Sequence, residues 1–443
     1  MPTELLNLQI NPPKFTFVDL FSGIGGFRIA LENWGGQCLG YSEIEPNSIQ
    51  VYQHNFIRYA NRDEPNLGDM RSLHKFPFTV DLITGGVPCQ PWSIAGKLRG
   101  LDDPRGQLWL DTIRVIKINQ PLAFILENVK GLTDPRHRPQ FESILESLSA
   151  ANYHLKWQVL NASDFGLPQD RDRVFIVGIR RDINQGQNFQ FPQPLNQHPQ
   201  LFNFVEGVSQ EAVIKKKFSP QVLFGNHIPP ARGRFQKNDE LNDFFLFSDV
   251  RNGQTTIHSW DLIETSDRQK QICDIILKNR RKKIYGPKDG NPIPLAALQQ
   301  LIDDLQESEL NQLMQKRILR HIENQGYEFV NSKISSGING VAKIYLAHAQ
   351  AIATLTATGN QIFVATKSFS CQNHQRYKQE FINIIYHPQN YQEITPRDTA
   401  RLQGFPDWFV LHKNPSIAKK QLGNAVPVPV VQAIAKLLLN FWL

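Results

Sequence analysis

The first 181 residues alternate short apolar runs with segments of helical periodicity. The apolar runs have the length of strands and predict strands over residues 15–21, 37–42, 80–84, 122–126, 154–160 and 174–179. The segments between them predict helices around residues 27–33, 107–118 and 140–150. Because strands and helices take turns along the chain, we expect βαβ units around a largely parallel sheet, in a doubly wound α/β fold.

The pattern changes after Arg181. Gln, Asn and Pro become frequent in residues 184–200, and the alternation of strands and helices ends. The pattern changes again at Thr395-Pro396, and an apolar final helix is predicted over residues 428–441. We therefore expect the last part to pack back on the first. The predicted parts are residues 1–181, 182–394 and 395–443.

Apolar residues at helical spacing also occur in residues 295–322, inside the middle part. Such spacing is typical of one or two helices that pack in a core. A helix that binds a partner is the alternative, and the sequence favours the core interpretation.

The charge balance favours an anionic partner. The 443 residues carry a formal net charge of +7 and a sequence pI of about 9.1, which makes nucleic acid the natural candidate. The basic clusters Lys215–Lys217 and Arg280–Lys283 fit contacts to phosphates, with a solvated surface as the alternative.

The cysteines and the hydropathy indicate a reduced, cytoplasmic setting. The four cysteines are widely spaced and form no C-x-x-C pair, so neither a disulfide framework nor a metal site is expected. The N-terminus has no apolar signal-peptide core, and no apolar stretch approaches the roughly eighteen residues of a membrane helix. We expect a cytoplasmic protein without membrane association.

One cysteine, Cys89, stands in a loop suited to a nucleophile. A short strand is followed by Gly85-Gly86, which break it, and then by Pro88-Cys89-Gln90. An inert buried cysteine is the alternative, but glycine, proline, Gln90 and Ser93 make poor core neighbours. The segment therefore favours a positioned, reactive thiol.

A glycine-rich turn joins the first predicted strand to the first helix. Gly23, Gly25 and Gly26 allow the backbone to approach a ligand, and the helix N-terminus offers unpaired N–H groups. Glu43, after the second strand, suits a ribose hydroxyl, and Asp69 suits an adenine amino group. A tight structural turn and carboxylates that cap turns are the alternatives at this point.

A carboxylate and two guanidiniums follow other strands. Glu127 closes a strand at the same predicted edge as Cys89, where a carboxyl could assist as an acid. Arg171 and Arg173 share one face of the last strand and could hold phosphate or polarise a carbonyl oxygen. Ion pairs with the neighbouring aspartates are their alternative.

The motifs of the first and last parts occur in a definite order. A glycine loop, a Pro-Cys-Gln motif, Glu-Asn-Val, Gln-x-Arg-x-Arg and two C-terminal motifs stand in residues 19–26, 88–90, 127–129, 169–173, 401–406 and 421–427. In this order they resemble the motifs of DNA (cytosine-5) methyltransferases of bacterial restriction–modification systems.

The resemblance implies S-adenosylmethionine as the cofactor. Glu43 would contact its ribose, Asp69 its amino group and Phe21 its adenine ring. One position departs from the family pattern, because Ile44 stands where many relatives have an aromatic residue that stacks on adenine. The residues implied for cofactor binding are Phe21, Gly23, Gly25, Gly26, Glu43, Ile44, Asp69, Met70, Pro88, Leu108 and Asn424.

The resemblance also implies double-stranded DNA as the substrate, with the target cytosine flipped into the site. Cys89 would add to C6 and Glu127 would protonate N3. Arg173 would contact the cytosine carbonyl, and Arg171 would support the loop that carries Cys89. Asn128 is expected to orient groups rather than to react. DNA contacts are implied for Gln90, Ser93, Lys97, Arg99, Arg105, Gln169 and Thr354.

In this family the first part carries catalysis and cofactor binding, and the middle part, residues 182–394, recognises the target sequence. We expect a monomer, since one flipped base needs one active site, in the bacterial cytoplasm and associated with the nucleoid. The resemblance also implies a functional pairing with a restriction endonuclease, without a stable complex.

Other functions explain less of the sequence. A tRNA cytosine-5 methyltransferase shares the catalytic residues but normally has a shorter recognition region. A nicotinamide or flavin oxidoreductase would explain the glycine turn but not Pro88-Cys89-Gln90. A catalytically inactive DNA-binding relative would not need Cys89, Glu127 and Arg173 together.

Overall fold

The protein divides into two compact units. The computed structural model describes residues 13–58, 63–88, 107–195, 197, 199–213, 259–288, 290–330, 343–357, 362–371 and 374–442. Unit 1 comprises Met1–Pro199, Gln350–Asn360 and Thr395–Leu443, and unit 2 comprises Gln200–Ala349 and Gln361–Ile394. The chain therefore leaves unit 1 twice and returns to it twice.

This division differs from the predicted parts in two places. Unit 1 continues beyond residue 181 to Pro199, because Phe189 and Phe191 are buried in its core. Residues 350–360, predicted in the middle part, belong to unit 1 because Ile352 pairs with Gln169 in a short parallel ladder.

Strands and helices alternate in the first half of the described chain. The strands are β1 Phe15–Leu20, β2 Gly36–Ser42, β3 Leu82–Gly86, β4 Ala123–Val129, β5 Tyr153–Asn161, β6 Gln169–Asp170, β7 Asp172–Arg180, β8 Leu319–Ile322, β9 Gly326–Phe329, β10 Lys343–Tyr345, β11 Ile352–Ala353, β12 Ile362–Ala365 and β13 Tyr391–Glu393. The α-helices are α1 Gly26–Glu32, α2 Pro46–Gln53, α3 Leu108–Asn119, α4 Arg138–Ala150, α5 Asp267–Asn279, α6 Leu295–Leu301, α7 Glu307–Gln315, α8 His374–Phe381, α9 Pro396–Arg401, α10 Pro415–Asn424 and α11 Val428–Leu439.

Six strands of unit 1 form one mixed sheet, in the order β2-β1-β3-β4-β7-β5. Neighbours among β2, β1, β3 and β4 run parallel, whereas β7 runs antiparallel to both β4 and β5. The connection from Asn161 to Asp172 is too short for the crossover that parallel neighbours need, so β7 returns antiparallel. The predicted doubly wound α/β fold is confirmed, with one antiparallel strand added.

Alternation along the strands sends side chains into two cores, one on each face of this sheet. In β1, Phe17 belongs to one core and Val18 to the other. The first core also contains Ile434 of α11, and the second contains Trp109 of α3. Because helices cover both faces, β1 and β4 are buried along almost their whole length.

The C-terminal helix α11 is apolar and largely buried, whereas the preceding α10 carries several polar residues and is buried on one side. By length and composition Pro415–Leu439 could cross a membrane, since its most apolar window has a mean hydropathy of 1.5. However, 61% of that window is buried inside the protein, and buried core helices pass the same test. The stretch is therefore weak evidence for a membrane span. Trp34, just after α1, donates a hydrogen bond to the carbonyl of Gln432 in α11 at 3.1 Å.

Unit 2 contains separate hydrophobic clusters. One is formed by residues between Trp260 and Phe329, on α5, α6, α7 and the hairpin β8–β9. Another is formed by residues between Ile344 and Ile385, beside the three-stranded sheet β10-β12-β13. The apolar residues at helical spacing in residues 295–322 lie in the first cluster, so the core interpretation is confirmed.

Candidate active site

A cavity of about 500 Å³ lies at the carboxyl ends of the parallel strands of unit 1. Its walls come from the segments after β1, β2 and β3, from β4, and from the end of α10. Ligands of open α/β sheets bind at this edge. The cavity is lined by ten residues predicted to bind a cofactor, namely Phe21, Gly23, Gly26, Glu43, Ile44, Asp69, Met70, Pro88, Leu108 and Asn424.

The turn after β1 has a backbone geometry that needs its glycines. Gly23 and Gly25 adopt positive φ angles of 54° and 92°, which other residues rarely adopt. A Cβ at Gly25 would collide with the ring of Phe56, so this glycine serves packing and is not among the residues that line the cavity. A Cβ at Gly23 would meet no atom within 4 Å, which leaves the cavity open beside it.

The carboxylate of Glu43 is held at the cavity wall by three backbone N–H groups. Gly23 donates to Oε2 at 2.9 Å, and Ile44 and Glu45 each donate to Oε1 at 2.8 Å. These bonds tie the end of β2 to the glycine turn. A carboxylate has about four lone-pair sites, so Glu43 can still accept hydrogen bonds from a hydroxyl donor.

Asp69 is paired with a neighbouring cation. The Nε of Arg71 lies 3.1 and 3.0 Å from Oδ1 and Oδ2, and the backbone N–H of Arg71 donates to Oδ1 at 3.0 Å. These hydrogen bonds lower the pKa of Asp69 below its ordinary value, because they favour the carboxylate. Both residues line the cavity, so Asp69 offers an anionic acceptor at the position where the amino group of an adenine is expected.

Ile44 is 61% exposed although its side chain is apolar. It lines the cavity next to Glu43. An exposed isoleucine here offers apolar packing to a flat ligand, without the ring stacking that an aromatic residue would supply.

Glu127 and Arg173 form an ion pair on the wall of the same cavity. Arg173 Nε lies 2.9 Å from Glu127 Oε1, and the two side chains are 13% and 11% exposed. They meet because β4 and β7 are antiparallel neighbours. The aspartate predicted as an alternative partner, Asp172, instead pairs with Lys130 at 3.0 Å and offers Arg173 only its backbone carbonyl.

Burial raises the pKa of Glu127 above its ordinary value, although Arg173 and Arg171 act in the opposite direction. A raised pKa keeps more of the carboxyl protonated near neutral pH than in an exposed glutamate. In that form Glu127 can donate a hydrogen bond or a proton to a ligand in the cavity.

Asn128, beside Glu127 on β4, holds the segment that leads to Cys89. Its Nδ2 donates to the carbonyl of Val87 at 3.0 Å, and its Oδ1 accepts from the N–H of Val129 at 2.8 Å. The side chain is buried, so its contacts are with backbone inside the protein. This geometry fits an orienting role for Asn128.

Arg171 lies inside unit 1 and is not among the residues that line the cavity. It is 1% exposed, and its guanidinium donates to the carbonyls of Leu355, Gly423 and Ala425 at 2.8, 3.0 and 2.8 Å. Three segments distant in sequence therefore meet at one side chain.

Gln169 and Thr354 connect the same region to the returning segment 350–360. The buried Gln169 accepts a hydrogen bond from the N–H of Leu355 at 3.1 Å and donates one to the carbonyl of Leu402 at 2.9 Å. Thr354 Oγ1 donates to the carbonyl of Asp170 at 2.6 Å. These contacts are internal, and the DNA contacts expected for Gln169 and Thr354 stay predictions.

The cavity has further walls that the sequence did not mark. Asn47 on α2 and Lys420 and Gln421 on α10 line it. Gln421 stands in the motif that contains Asn424, whereas nothing around Asn47 or Lys420 indicates a site. Within the described ranges, no group of three or more His, Cys, Asp or Glu side chains could hold a metal ion.

The predicted nucleophile lies outside the described residues. The described chain stops at Pro88, which lines the cavity, and resumes at Gln107. Cys89 is therefore the next residue in the chain after Pro88, which lines the cavity. The predicted DNA contacts Gln90, Ser93, Lys97, Arg99 and Arg105 also lie outside the described ranges.

Comparison with known families decides what kind of site this is. Residues 15–440 match the model of the C-5 cytosine-specific DNA methylases. The chain belongs to this family. It is therefore a DNA cytosine methyltransferase, and the resemblance drawn from its motifs is confirmed.

Named relatives of this methyltransferase cover nearly its whole length. The chain is 45% identical over 428 residues to the type II methyltransferase M.HgiCII of Herpetosiphon aurantiacus, with 96% of this chain and 97% of that protein covered. It is 31% identical to the type II methyltransferase M.BanI of Aneurinibacillus aneurinilyticus, with 95% of each covered. The solved structure of the S. pombe Dnmt2 methyltransferase is similar in fold, with a TM-score of 0.51 at 16% identity over 96% of this chain and 98% of that one.

Proposed function

We propose that this methyltransferase uses S-adenosylmethionine to methylate C5 of a cytosine flipped out of a specific duplex DNA sequence. The observation that carries the proposal is the largely buried Glu127–Arg173 pair, on the wall of the cavity that Pro88 also lines. An acid, a cation and the neighbouring Cys89 are the groups that addition to C6 of cytosine requires.

The cavity residues fit S-adenosylmethionine, which supplies an electrophilic methyl group on a sulfonium sulfur. Glu43 would accept hydrogen bonds from the ribose hydroxyls, and Asp69 would accept one from the amino group of adenine. Ile44 and Phe21 would pack against the base. The open backbone at Gly23 leaves room for the remainder of the molecule.

Cys89 would attack C6 of the flipped cytosine as a thiolate and form a C–S bond. Glu127 would protonate N3 at the same time, so that the electron pair of the C5–C6 bond becomes available at C5. C5 would then take the methyl group that the cofactor supplies, with cleavage of the methyl–sulfur bond. Loss of the C5 proton to water and expulsion of the Cys89 thiolate would restore the ring, and N3 would return its proton to Glu127.

Arg173 would contact the cytosine carbonyl, because its guanidinium stands beside Glu127 on the cavity wall. Other residues would position these groups without touching the substrate. Asn128 holds the carbonyl of Val87, two residues before Cys89. Arg171 fixes the start of β7, which carries Arg173, so we assign it a positioning role.

A covalent trap tests the role of Cys89. Duplex DNA in which 5-fluorocytosine replaces the target cytosine should form a stable adduct with the protein in the presence of S-adenosylmethionine, because fluorine cannot leave as a proton does. The adduct should disappear in Cys89→Ser and persist in the control Cys371→Ser, which changes a cysteine of unit 2. Methyl transfer that continues in Cys89→Ser would exclude the proposed nucleophile.

The sequence and its relatives support a modification enzyme. We propose that the part of residues 182–394 that belongs to unit 2 recognises the target sequence, and that the protein is a monomer in the bacterial cytoplasm, associated with the nucleoid. Two relatives carry the name type II methyltransferase, which supports a functional pairing with a restriction endonuclease. Bisulfite mapping of DNA from expressing cells should reveal one methylated sequence, and that DNA should resist an endonuclease that cuts it. Transfer to tRNA instead of DNA would favour the alternative substrate.

A further inference from the structure

Residues 259–330 of unit 2 form a small module with a definite order of elements. Helix α5 is followed by a one-residue strand at Ile293, then by α6, α7 and the hairpin β8–β9. Ile293 pairs antiparallel with Tyr327 of β9, with backbone hydrogen bonds of 2.8 and 2.9 Å. A helix, a strand, two helices and a two-stranded hairpin in this order are the arrangement of winged-helix modules, which contain a helix-turn-helix.

The turn between α6 and α7 has the length of the turn in a helix-turn-helix. Ile302 caps the end of α6, and Gln306 caps the start of α7, so only three residues lie between the caps. One of these, Asp304, has a φ angle of 56° in the left-handed region, where such turns often use glycine. The sharp reversal is therefore encoded in the backbone.

The module has a hydrophobic cluster that determines which face of α7 points outward. Leu310 and Leu313 of α7 are buried against Ile276 of α5 and Leu298 of α6. Trp260 stacks on Phe329 at a centroid distance of 5.3 Å. With this side of α7 facing the core, the opposite side faces solvent.

The outer face of α7, defined here as Ser308, Asn311 and Gln315, carries only polar side chains. The three residues are exposed and lie three and four positions apart, which places them on one side of the helix. Gln312 is exposed as well, but its amide accepts a hydrogen bond from Gln269 of α5 at 3.1 Å. Asparagine and glutamine amides match the paired donor and acceptor of adenine in the major groove, and a serine hydroxyl can contact any base.

The charges around this face are mixed. Asp303 and Asp304, in the turn before α7, are exposed, whereas the two glutamates of the first turn of α7 contact other residues of the module. Glu309 pairs with Arg268 at 3.0 Å, and Glu307 accepts from the hydroxyl of Tyr327 at 3.2 Å. Exposed cations follow directly after the helix, at Lys316, whose Nζ donates to Gln269 of α5 at 3.0 Å and to the carbonyl of Glu264, and at Arg317. Cations that flank a base-reading helix are the groups that contact phosphates.

We propose that α7 is a DNA-recognition helix, and that Ser308, Asn311 and Gln315 contact base edges in the major groove of the target duplex. The proposal rests on the action of this family on DNA. It goes beyond the catalytic cycle by naming residues that choose the sequence, and it does not depend on Cys89, Glu127 or the cofactor cavity. A second protein is the competing occupant of this face.

A library of randomised duplexes tests this assignment. The full-length protein methylates the library, and bisulfite sequencing gives the preference at each base pair. Asn311→Ala and Gln315→Ala should each relax the preference at one or two base pairs, with roughly ten- to hundredfold loss of discrimination there. The matched control Gln271→Ala removes an exposed amide from α5, on a different helix of the module, and should keep the wild-type preference.

Two measurements keep this test decisive. Thermal unfolding should give the wild-type Tm for all three variants, because the changed side chains are exposed. Adduct formation with 5-fluorocytosine reports on the proposed chemistry separately. Adducts with an unchanged sequence preference in Asn311→Ala and Gln315→Ala would overturn the recognition helix and leave the catalytic proposal intact. If the wild-type protein forms no adduct, competition binding of the same library would still show whether the α7 variants change the sequence preference.

Discussion

The cavity of unit 1 and the outer face of α7 in unit 2 show two ways in which one chain can carry function. In the cavity, Glu43 accepts three backbone hydrogen bonds and Glu127 is paired with Arg173, so both carboxylates are oriented before a ligand arrives. On α7, Asn311 and Gln315 extend into solvent from a helix that is packed on its other side. Chemistry depends on buried groups held in place, whereas the choice of a sequence depends on exposed groups on a rigid element.

The comparison implies different phenotypes for the two regions. Variants of the cavity should slow methylation of every target equally, because they act on steps common to all cytosines. Variants of α7 should change which targets are methylated. The four variants predicted below all lie in unit 1. A changed sequence preference in any of them would contradict this separation of roles between the cavity and α7.

The largest effect is expected for Glu127→Gln. The amide keeps the shape of the side chain but cannot protonate N3, so methyl transfer should fall roughly 10²- to 10⁴-fold while DNA binding is retained. Since the protonated carboxyl is the active form, the wild-type rate should fall as pH rises through the raised pKa of Glu127, and the variant should lack this dependence. Single-turnover kinetics across pH measure both. Glu146→Gln, an exposed change on α4, is the control, and normal turnover in Glu127→Gln would remove the acid from the mechanism.

Arg171→Met should mainly destabilise unit 1. The change leaves the buried carbonyls of Leu355 and Gly423 and the partly buried carbonyl of Ala425 without their donor, and we expect a loss of about 3 kcal/mol or more in the free energy of unfolding. It also removes a cation that lowers the pKa of Glu127, so the pH–rate profile should move to higher pH. Urea unfolding and the pH profile measure these effects. The exposed Arg181→Met should change stability by less than about 0.5 kcal/mol.

Glu43→Gln should weaken cofactor binding. Replacing the charged acceptor of the proposed ribose contact should cost roughly ten- to hundredfold in affinity for S-adenosylmethionine. Calorimetric titration measures this, again with Glu146→Gln as the control. Unchanged affinity in Glu43→Gln would show that the carboxylate only ties Gly23 to the end of β2.

The smallest effect on methyl transfer is expected for Asp19→Asn, in β1 just before the glycine turn, where the change should be seen in stability. Burial raises the pKa of Asp19 from 3.8 to about 8, although a hydrogen bond from Thr84 acts against this. Its Oδ2 has no hydrogen-bond partner among the described residues. A carboxyl with a raised folded pKa stabilises the protein fully at low pH, and this contribution is lost as pH rises from the unfolded pKa to the folded one.

Wild-type stability should therefore decline between pH 3.8 and about 8, by at most about 1.4 kcal/mol per pH unit from this group. Asp19→Asn should show a flatter profile in urea unfolding over the same range. Asp303→Asn, an exposed change in unit 2, should keep the wild-type slope. Parallel profiles for wild type and Asp19→Asn would mean that Asp19 is ionised in the folded protein.

Much of the cavity could be predicted from the sequence for a physical reason. Glu43 and Glu127 stand at the ends of apolar strands, and parallel strands bring their carboxyl ends to one edge of a sheet. The Glu127–Arg173 pair could not be predicted in the same way, because it depends on β7 lying antiparallel to β4. Hydrophobic patterning does not record strand direction, so the sequence offered only the adjacent aspartates as alternative partners of Arg173.

The structural roles of Gln169 and Arg171 depend on contacts that no local pattern encodes. Arg171 meets Leu355 and Gly423, which are 184 and 252 residues away along the chain. The outer face of α7 could not be predicted for a different reason. Asn311 and Gln315 are polar residues on a solvated helix, and only the position of that helix after a tight turn distinguishes them from ordinary surface residues.

The return of residues 350–360 to unit 1 divides unit 2 into two insertions, Gln200–Ala349 and Gln361–Ile394. The returning segment fits closely, since Ile352 pairs with Gln169 and a Cβ at Gly423 would collide with the backbone of Thr356. Recombination between relatives that replaced the first insertion alone would leave these contacts intact. Such an exchange would transfer α7 together with the first insertion. A lineage could then acquire a new target sequence while its catalytic unit 1 stayed unchanged.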